Sequence, residues 1–258
     1  MNIQASVICH VGRVRSNNED NYYLQGQIRQ DVDQLNTRAQ FVGTDACTLF
    51  AVADGMGGEA QGEFASLVAV KSLRACALEQ VRTTAARSIN RANALICREM
   101  DRIGRRMGTT LAALYIDAGK AVACNVGDSR VYLLRDGSLT QLSTDHSQVQ
   151  QMIDLGILSP EDARTHPNRH VLTQHLGIRD DEMILQPAFS EELELKSGDT
   201  FLLCSDGLTD MVEDDAIQTA LSSGTPEHQA QTLIEQALAA GGRDNVTVLV
   251  ATVYADVQ

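Results

Sequence analysis

Four acidic residues stand beside apolar runs in this chain: Asp20 closes RSNNED, Asp54 follows TLFAVA, Asp206 follows TFLLCS, and Asp244 precedes NVTVLV. Each run reads as a strand, and strands flanked by carboxylates can bring those groups to one point of a sheet. Carboxylates gathered there repel one another unless cations sit between them. The chemistry this predicts is a multi-metal site with oxygen ligands, which favours Mg²⁺ or Mn²⁺ over Zn²⁺. Two such ions side by side polarise a phosphoryl group and stabilise both oxygens of an in-line displacement. Arg15 is one of few basic residues near these motifs. Its guanidinium suits two phosphate oxygens, and the plainer alternative is a salt bridge to Glu19 or a solvated side chain.

An Asp-Gly pair is by default a turn. Asp136-Gly137 in LLRDGSLTQL is expected to be just that, a two-residue hairpin connection. Asp54-Gly55 and Asp206-Gly207 differ, because a small-residue loop (MGGEAQGE) and a helical stretch (LTDMVEDD) come after them instead of a partner strand. Gly55 has no side chain to keep its own carbonyl from approaching a hard cation. The DGMGG glycines match neither phosphate-cradling pattern, GxxxxGK[ST] nor GxGxxG. His166, His170 and His175 make no HExxH, and Pro167 interrupts the one i,i+4 pair, so no zinc site is expected from them.

These residues are spread from 15 to 245 and must meet, which favours one domain over residues 1–258. Only four prolines and no low-complexity linker interrupt the chain. The 34 acidic and 21 basic residues give a net charge of −13, which argues against nucleic-acid and anionic-membrane partners and suits cation binding. The start MNIQASVICHVG reads as a first strand instead of a signal peptide, and a cytoplasmic location is expected. The six cysteines lack CxxC spacing and read mostly as buried small hydrophobes.

The elements that position the acidic residues are read from hydrophobic periodicity. Strands are expected at 6–11, 21–25 and 48–53, with 27–47 as a long hairpin loop or insertion. Helices are expected over 62–79 and 84–103, the second with Ile89, Ala92, Ile96, Met100 and Ile103 on one face. An antiparallel meander is expected over 109–142, with turns at AGK, GDS and DG. Short helices at 148–155 and 160–164 and strands at 182–189 and 200–204 come next. The last elements are a helix capped by Thr225-Pro226 and ended at Gly241-Gly242, and a strand over 246–253. This order does not alternate as a parallel α/β sheet would, and fits helices outside a sandwich of antiparallel sheets.

RSNNED, VADGMGG, GTTL, NVGDSRVYLLRDG, HPNRHVLTQHLG, LLCSDGLTD and GGRDNVTVLV occur in that order. The set resembles the metal-dependent protein serine/threonine phosphatases, the PPM or type 2C family, in its compact bacterial form. The resemblance implies a four-layer αββα sandwich of two antiparallel sheets with helices outside, and two Mn²⁺ or Mg²⁺ ions at one end. By position, Asp54 would bridge the ions, Gly55 would offer its carbonyl, and Asp206 and Asp244 would hold one ion. Asp20, with Glu19 beside it, would support the other ion through water or from an outer shell. Arg15 would take the substrate phosphate, Asn245 would adjoin the last ligand, and Asp128 and Asp210 would hold a third ion. For Asp128 the residues alone leave a hairpin turn open as well.

The segment 146–170 would be a flap beside the site. The implied activity is hydrolysis of phosphoserine and phosphothreonine in proteins by a hydroxide bridging the two ions, opposing a serine/threonine kinase. Many eukaryotic members carry a histidine where this chain has Met56, so the leaving oxygen would draw its proton from water or from His146. The same residues admit two rivals. One is a non-catalytic phosphoprotein-binding scaffold, and the other a two-metal phosphodiesterase or small-metabolite phosphatase.

Overall fold

The fold is taken from a computed structural model, which describes residues 1–57 and 61–255. The chain runs β1 (Asn2–His10), β2 (Asn21–Leu24), β3 (Gln27–Ile28), β4 (Thr37–Thr44), β5 (Thr48–Ala53) and β6 (Gly55–Met56). Helices α1 (Gly62–Ser72) and α2 (Val81–Ile103) come next, then β7 (Gly108–Thr109), β8 (Leu111–Asp117), β9 (Lys120–Val126), β10 (Arg130–Arg135) and β11 (Ser138–Gln141). After α3 (Gln148–Asp154) and α4 (Pro160–Ala163) come β12 (Ala188–Phe189), β13 (Leu193–Glu194) and β14 (Thr200–Cys204). The chain closes with α5 (Asp206–Thr209), α6 (Asp214–Leu221), α7 (Pro226–Ala239) and β15 (Val246–Tyr254).

Two large antiparallel sheets result, one ordered β11-β10-β14-β15-β1-β4 and the other β12-β9-β8-β5-β2-β3, with β13 also on β9, while β6 and β7 pair separately. Their alternating side chains define three apolar layers. Val7, Phe50, Leu114, Phe201 and Leu249 fill the space between the sheets. Leu49, Ala51 and Tyr115 point the other way, toward Ala69 of α1 and Ile89 and Ile96 of α2. Leu202, Val248 and Val250 pack against Ile217 of α6 and Leu233 and Ile234 of α7. The strands are thus buried on both faces, which is why antiparallel strands read as unbroken apolar runs here. This is the four-layer sandwich that the family resemblance implied.

The caps expected for the last helix are present. Thr225 Oγ1 accepts the His228 N–H at 3.3 Å, Pro226 opens α7, and Gly241 and Gly242 take φ of 128° and 52°. Asp136-Gly137 turns with φ of 52° and 78°, the two left-handed residues of a two-residue hairpin.

Four expectations need correcting. The first helix stops at Ser72 instead of running to Glu79: Leu73 turns extended and enters the core, Ser72 Oγ back-bonds Val68 O at 2.8 Å, and Arg74 Nη1 donates to Lys71 O and Leu73 O. A single 3₁₀ turn at Leu78–Gln80 then leads into α2. The stretch 27–47 contains the eight-residue strand β4, paired with β1 from Asn2↔Thr44 to Cys9↔Thr37. It looks polar because it is an edge strand: Ala39 and Phe41 face inward, Phe41 edge-on to Phe50, while Val42 is 76% exposed. The stretch 109–142 is not one meander, since β8 and β9 belong to one sheet and β10 and β11 to the other. Of 182–189 only Ala188–Phe189 is strand, paired with β9, and Met183 and Ile184 are exposed. The loop expected over 56–63 lies partly outside the described residues.

Candidate active site

Antiparallel pairing carries the acidic residues to one end of the sandwich. Asn21 pairs with Ala53, so Asp20 and Asp54 leave β2 and β5 together. Cys204 pairs with Val248 and His10 with Val246, which brings Asp206, Asp244 and the loop bearing Arg15 to a common edge. The Gly127-Asp128-Ser129 segment crosses from one sheet to the other at that end, so Asp128 does not sit in a hairpin turn. A cleft of about 620 Å³ opens there, walled by Arg15, Glu19, Asp54, Asp128, Asp206, Asp210 and Asp244, with Gly55 and Asn245 also lining it.

The supporting contacts explain the motifs. Asp54 is clamped by GTTL: its N–H donates to Thr110 Oγ1 at 3.0 Å, and its carbonyl accepts from Thr110 N at 2.9 Å and Thr109 Oγ1 at 2.8 Å. Thr110 Oγ1 also meets Ser129 Oγ of GDSR at 2.7 Å. A Cβ on Gly55 would lie 2.2 Å from Gly62 O and 2.5 Å from Glu19 O, so only glycine lets these three backbones close together. Asn245 is spent on the loop: its Nδ2 donates to Val11 O and Asn17 O, and its Oδ1 accepts from Glu19 N. Arg15 donates to Asp244 Oδ2 at 2.7 Å, so its ion pair is with Asp244 and not with Glu19.

Asp20 lies beneath the cleft wall and is fully buried. Its Oδ2 accepts from Ser205 Oγ at 2.8 Å and Thr247 Oγ1 at 2.7 Å, while Oδ1 has no hydrogen-bond partner among the described residues. Burial pushes this carboxyl up to about 7, with the Ser205 and Thr247 hydrogen bonds opposing and Asp206 and Asp244 adding repulsion. Asp54 and Asp128 are also driven well above the carboxylate range, by burial and then by their acidic neighbours. Glu19 rises to about 7 through burial and Glu63. Asp206 moves the other way: burial opposes it, but the neighbouring His170 imidazole and Asp54 outweigh that.

Buried carboxylates that hold protons in the absence of a counter-charge, and an orphaned carboxylate oxygen beneath them, are what a site for hard cations presents. The donor set, oxygen throughout apart from one imidazole, fits Mn²⁺ or Mg²⁺.

Two residues were missed by sequence reasoning. His170 reaches over the cleft, with Nδ1 3.7 Å from Asp206 Oδ2 and Nε2 3.4 Å from Asp210 Oδ2, a grouping compact enough for one cation. His166 and His175 do not join it, since their Nδ1 atoms are engaged by Asn168 N–H and Leu176 O. His146, one of the two proton sources left open, does not line the cleft, and its Nδ1 accepts the Gly127 N–H at 3.3 Å. Arg29 is the second: it is 1% exposed and donates to the carbonyls of Asn18, Asp20, Val32 and Gln34, fixing the RSNNED loop from below. Of the cysteines, Cys9, Cys124 and Cys204 are buried as expected, whereas Cys47 is exposed.

The protein phosphatase 2C profile matches residues 23–239. The chain belongs to the protein phosphatase 2C family. This phosphatase 2C chain is 37% identical over 248 residues to the serine/threonine protein phosphatase PstP of Mycobacterium tuberculosis, covering 94% of the chain and 43% of PstP. It therefore spans less than half the length of that relative. It is 35% identical over 257 residues to the protein phosphatase PhpP of Streptococcus pneumoniae, covering 95% and 96% of the two. The crystal structure of the PstP catalytic domain in complex with two manganese ions superposes with a TM-score of 0.78, at 32% identity, covering 99% of this chain and all of that one. No helix among the described residues is long and apolar enough to cross a membrane.

Proposed function

We propose that this phosphatase 2C hydrolyses phosphoserine and phosphothreonine in proteins, using two Mn²⁺ or Mg²⁺ ions held in the acidic cleft. The observation that carries the reading is the convergence of Asp54, Asp128, Asp206 and Asp244 with Arg15 on one cleft above the orphaned Asp20 Oδ1. Asp54, the Gly55 carbonyl, Asp206 and Asp244 would hold the pair, with Glu19 and Asp20 supporting it from outside. Asp128 and Asp210 would hold a third ion, and His170 adds a nitrogen donor beside Asp210. When bound, the ions activate water and draw charge from the phosphoryl group.

The chain's own residues orient the substrate. Arg15 stands at the mouth with its side chain 57% exposed, and in this reading it would grip two phosphate oxygens. Thr109 and Thr110 fix the Asp54 backbone from behind, which limits how far its carboxylate would have to move as charge develops. Arg29 and Asn245 act through the loop that carries Arg15 and Glu19, as positioning residues. Residues 1–258 are taken as one phosphatase domain, with 146–170 as a flap beside the cleft. A cytoplasmic signalling role opposite a serine/threonine kinase is part of this reading.

The test is hydrolysis of a phosphothreonine peptide and of an aryl phosphodiester with Mn²⁺, Mg²⁺ or EDTA, by the wild type and Asp54→Asn. Monoester hydrolysis that needs the cation and Asp54 is expected. Turnover that survives EDTA or the substitution, or that is confined to the diester, would overturn the reading.

A further inference from the structure

A second cavity, of about 720 Å³ against about 620 Å³ for the acidic cleft, lies between α7 and the outer face of the sheet that holds β1 and β4. Strand register builds one wall: Ile8 pairs with Arg38, and His10, two residues on from Ile8, shares its face. The other wall is a stripe of α7, Gln231, Ile234 and Leu238, at spacings of three and four. The segment 28–37 closes the end and contributes Arg29.

Arg29 is the one buried arginine among the described residues, and all its hydrogen bonds end on backbone carbonyls. Arg130 and Arg135 are only partly buried, and each still has an aspartate. Carbonyls satisfy donors but bring no countercharge, and a buried charge is costly without one. Holding the RSNNED loop needs donors, which a neutral amide also supplies, so the loop alone does not account for the charge. His10 adds a neutral donor to the same cavity. Its Nδ1 accepts the Gly12 N–H at 2.9 Å, which puts the ring proton on Nε2, and Nε2 has no partner among the described residues. Burial and then Arg13 lower the pKa of this ring and keep it neutral. In a chain of net charge −13, the lining carries two arginines and a single carboxylate, Asp31. An apolar stripe with a few convergent polar groups is how proteins hold small molecules.

We propose that this cavity binds a small organic anion, a carboxylate or phosphate head on a flat apolar body, and that its occupancy tightens the cation centre. The head would face Arg29, Arg38 and the His10 Nε2–H, and the body would lie along Ile8, Ile234 and Leu238. The segment that closes the cavity is bonded to the loop that carries Arg15, Glu19 and Asp20. Asn36 Oδ1 accepts the Val11 N–H at 2.9 Å, Asn18 Nδ2 donates to Leu35 O at 2.7 Å, and Arg29 holds the Asn18 and Asp20 carbonyls. A ligand that fixes this segment fixes the loop, and by reciprocity ligand and Mn²⁺ strengthen each other's binding, by at least about fivefold. Only the coupling rests on the cation-centre reading; the anion site does not.

The test is isothermal titration calorimetry in EDTA, so that no cation in the acidic cleft can take the anion. The probes are 2-naphthoate and AMP, with neutral 2-naphthol and inorganic phosphate as controls that lack the head or the body. The proteins are the wild type, Arg38→Glu, Gln231→Trp, which fills the cavity from α7, and the remote control Arg87→Glu, with circular dichroism melts to establish folding. At least one anionic probe should bind the wild type about tenfold more tightly than either control. Arg38→Glu should weaken that binding about tenfold, Gln231→Trp should remove it, and Arg87→Glu should leave it unchanged. The two probes show whether the head preferred is carboxylate or phosphate. In a second titration without EDTA, the tighter probe should lower the Kd for Mn²⁺ about fivefold or more in the wild type and not in Gln231→Trp. Binding of neither anion, equal binding of a control, binding that survives both Arg38→Glu and Gln231→Trp, or a Mn²⁺ affinity blind to the bound anion would overturn the proposal.

Discussion

Replacing Asp20 by asparagine should make the cation-free protein more stable and the enzyme worse. Asp20 is wholly buried, and the asparagine Oδ1 can keep accepting from Ser205 and Thr247 while the charge disappears. In the fold this carboxyl is raised from 3.8 to about 7. Between those two values the folded protein binds a proton that the unfolded chain has released, so stability falls as pH rises through that window. About three units at 1.36 kcal/mol each bound the loss at ~4 kcal/mol. Sharing of protons with Asp54 and Asp206 brings it to on the order of 2–4 kcal/mol, or roughly 5–15 °C in Tm for a chain of this size. The assay is a set of thermal melts of cation-free wild type and Asp20→Asn from pH 5 to pH 8. The variant should melt higher at pH 8, with the gap narrowing to less than about half by pH 5, and added Mn²⁺ should raise the wild type more than the variant. Equal melting at pH 8, or a variant less stable at every pH, would refute the claim that Asp20 is a strained buried charge awaiting a cation.

Three further substitutions test how the site is positioned. Arg29→Met leaves the carbonyls of Asn18, Asp20, Val32 and Gln34 without their donor, and should cost about 3–5 kcal/mol in chemical denaturation and weaken Mn²⁺ binding in a dialysis assay. Gly55→Ala places a methyl against Gly62 O and Glu19 O, and should lower kcat on a phosphothreonine peptide at least about tenfold by moving the Asp54–Gly55 backbone. Thr110→Val leaves the Asp54 N–H and Ser129 Oγ without their partner, at about 1–3 kcal/mol, read as a drop in Tm with a parallel loss of kcat.

Asp54 and Asp206 could be recognised in the sequence because no partner strand succeeds either Asp-Gly pair, and Asp136-Gly137 could be set aside because one does. The layers could be inferred because buried faces leave apolar runs and the helix faces repeat at three and four. The features that stayed hidden depend on contacts distant in sequence. Arg29 bonds only to backbone carbonyls, which leave no mark on residue type. His170 becomes a site residue only when the segment after α4 folds back onto α5. Gly-Asp-Ser has turn chemistry whether the next strand pairs within the sheet or crosses to the other one, as it does at Asp128. β4 is an edge strand whose inner face holds only Ala39, Phe41 and its small neighbours, too weak a pattern to separate from a loop.

Every role proposed for the cleft depends on its buried carboxylates forming a two-cation centre around Asp54. Equilibrium dialysis of the purified chain against Mn²⁺, with Asp54→Asn in parallel, tests this without assuming any substrate. The wild type should bind two ions tightly, with any third ion weaker, and Asp54→Asn should retain at most one. Tight binding of two ions that is unchanged in the variant, or no tight binding by the wild type, would contradict a centre of this kind.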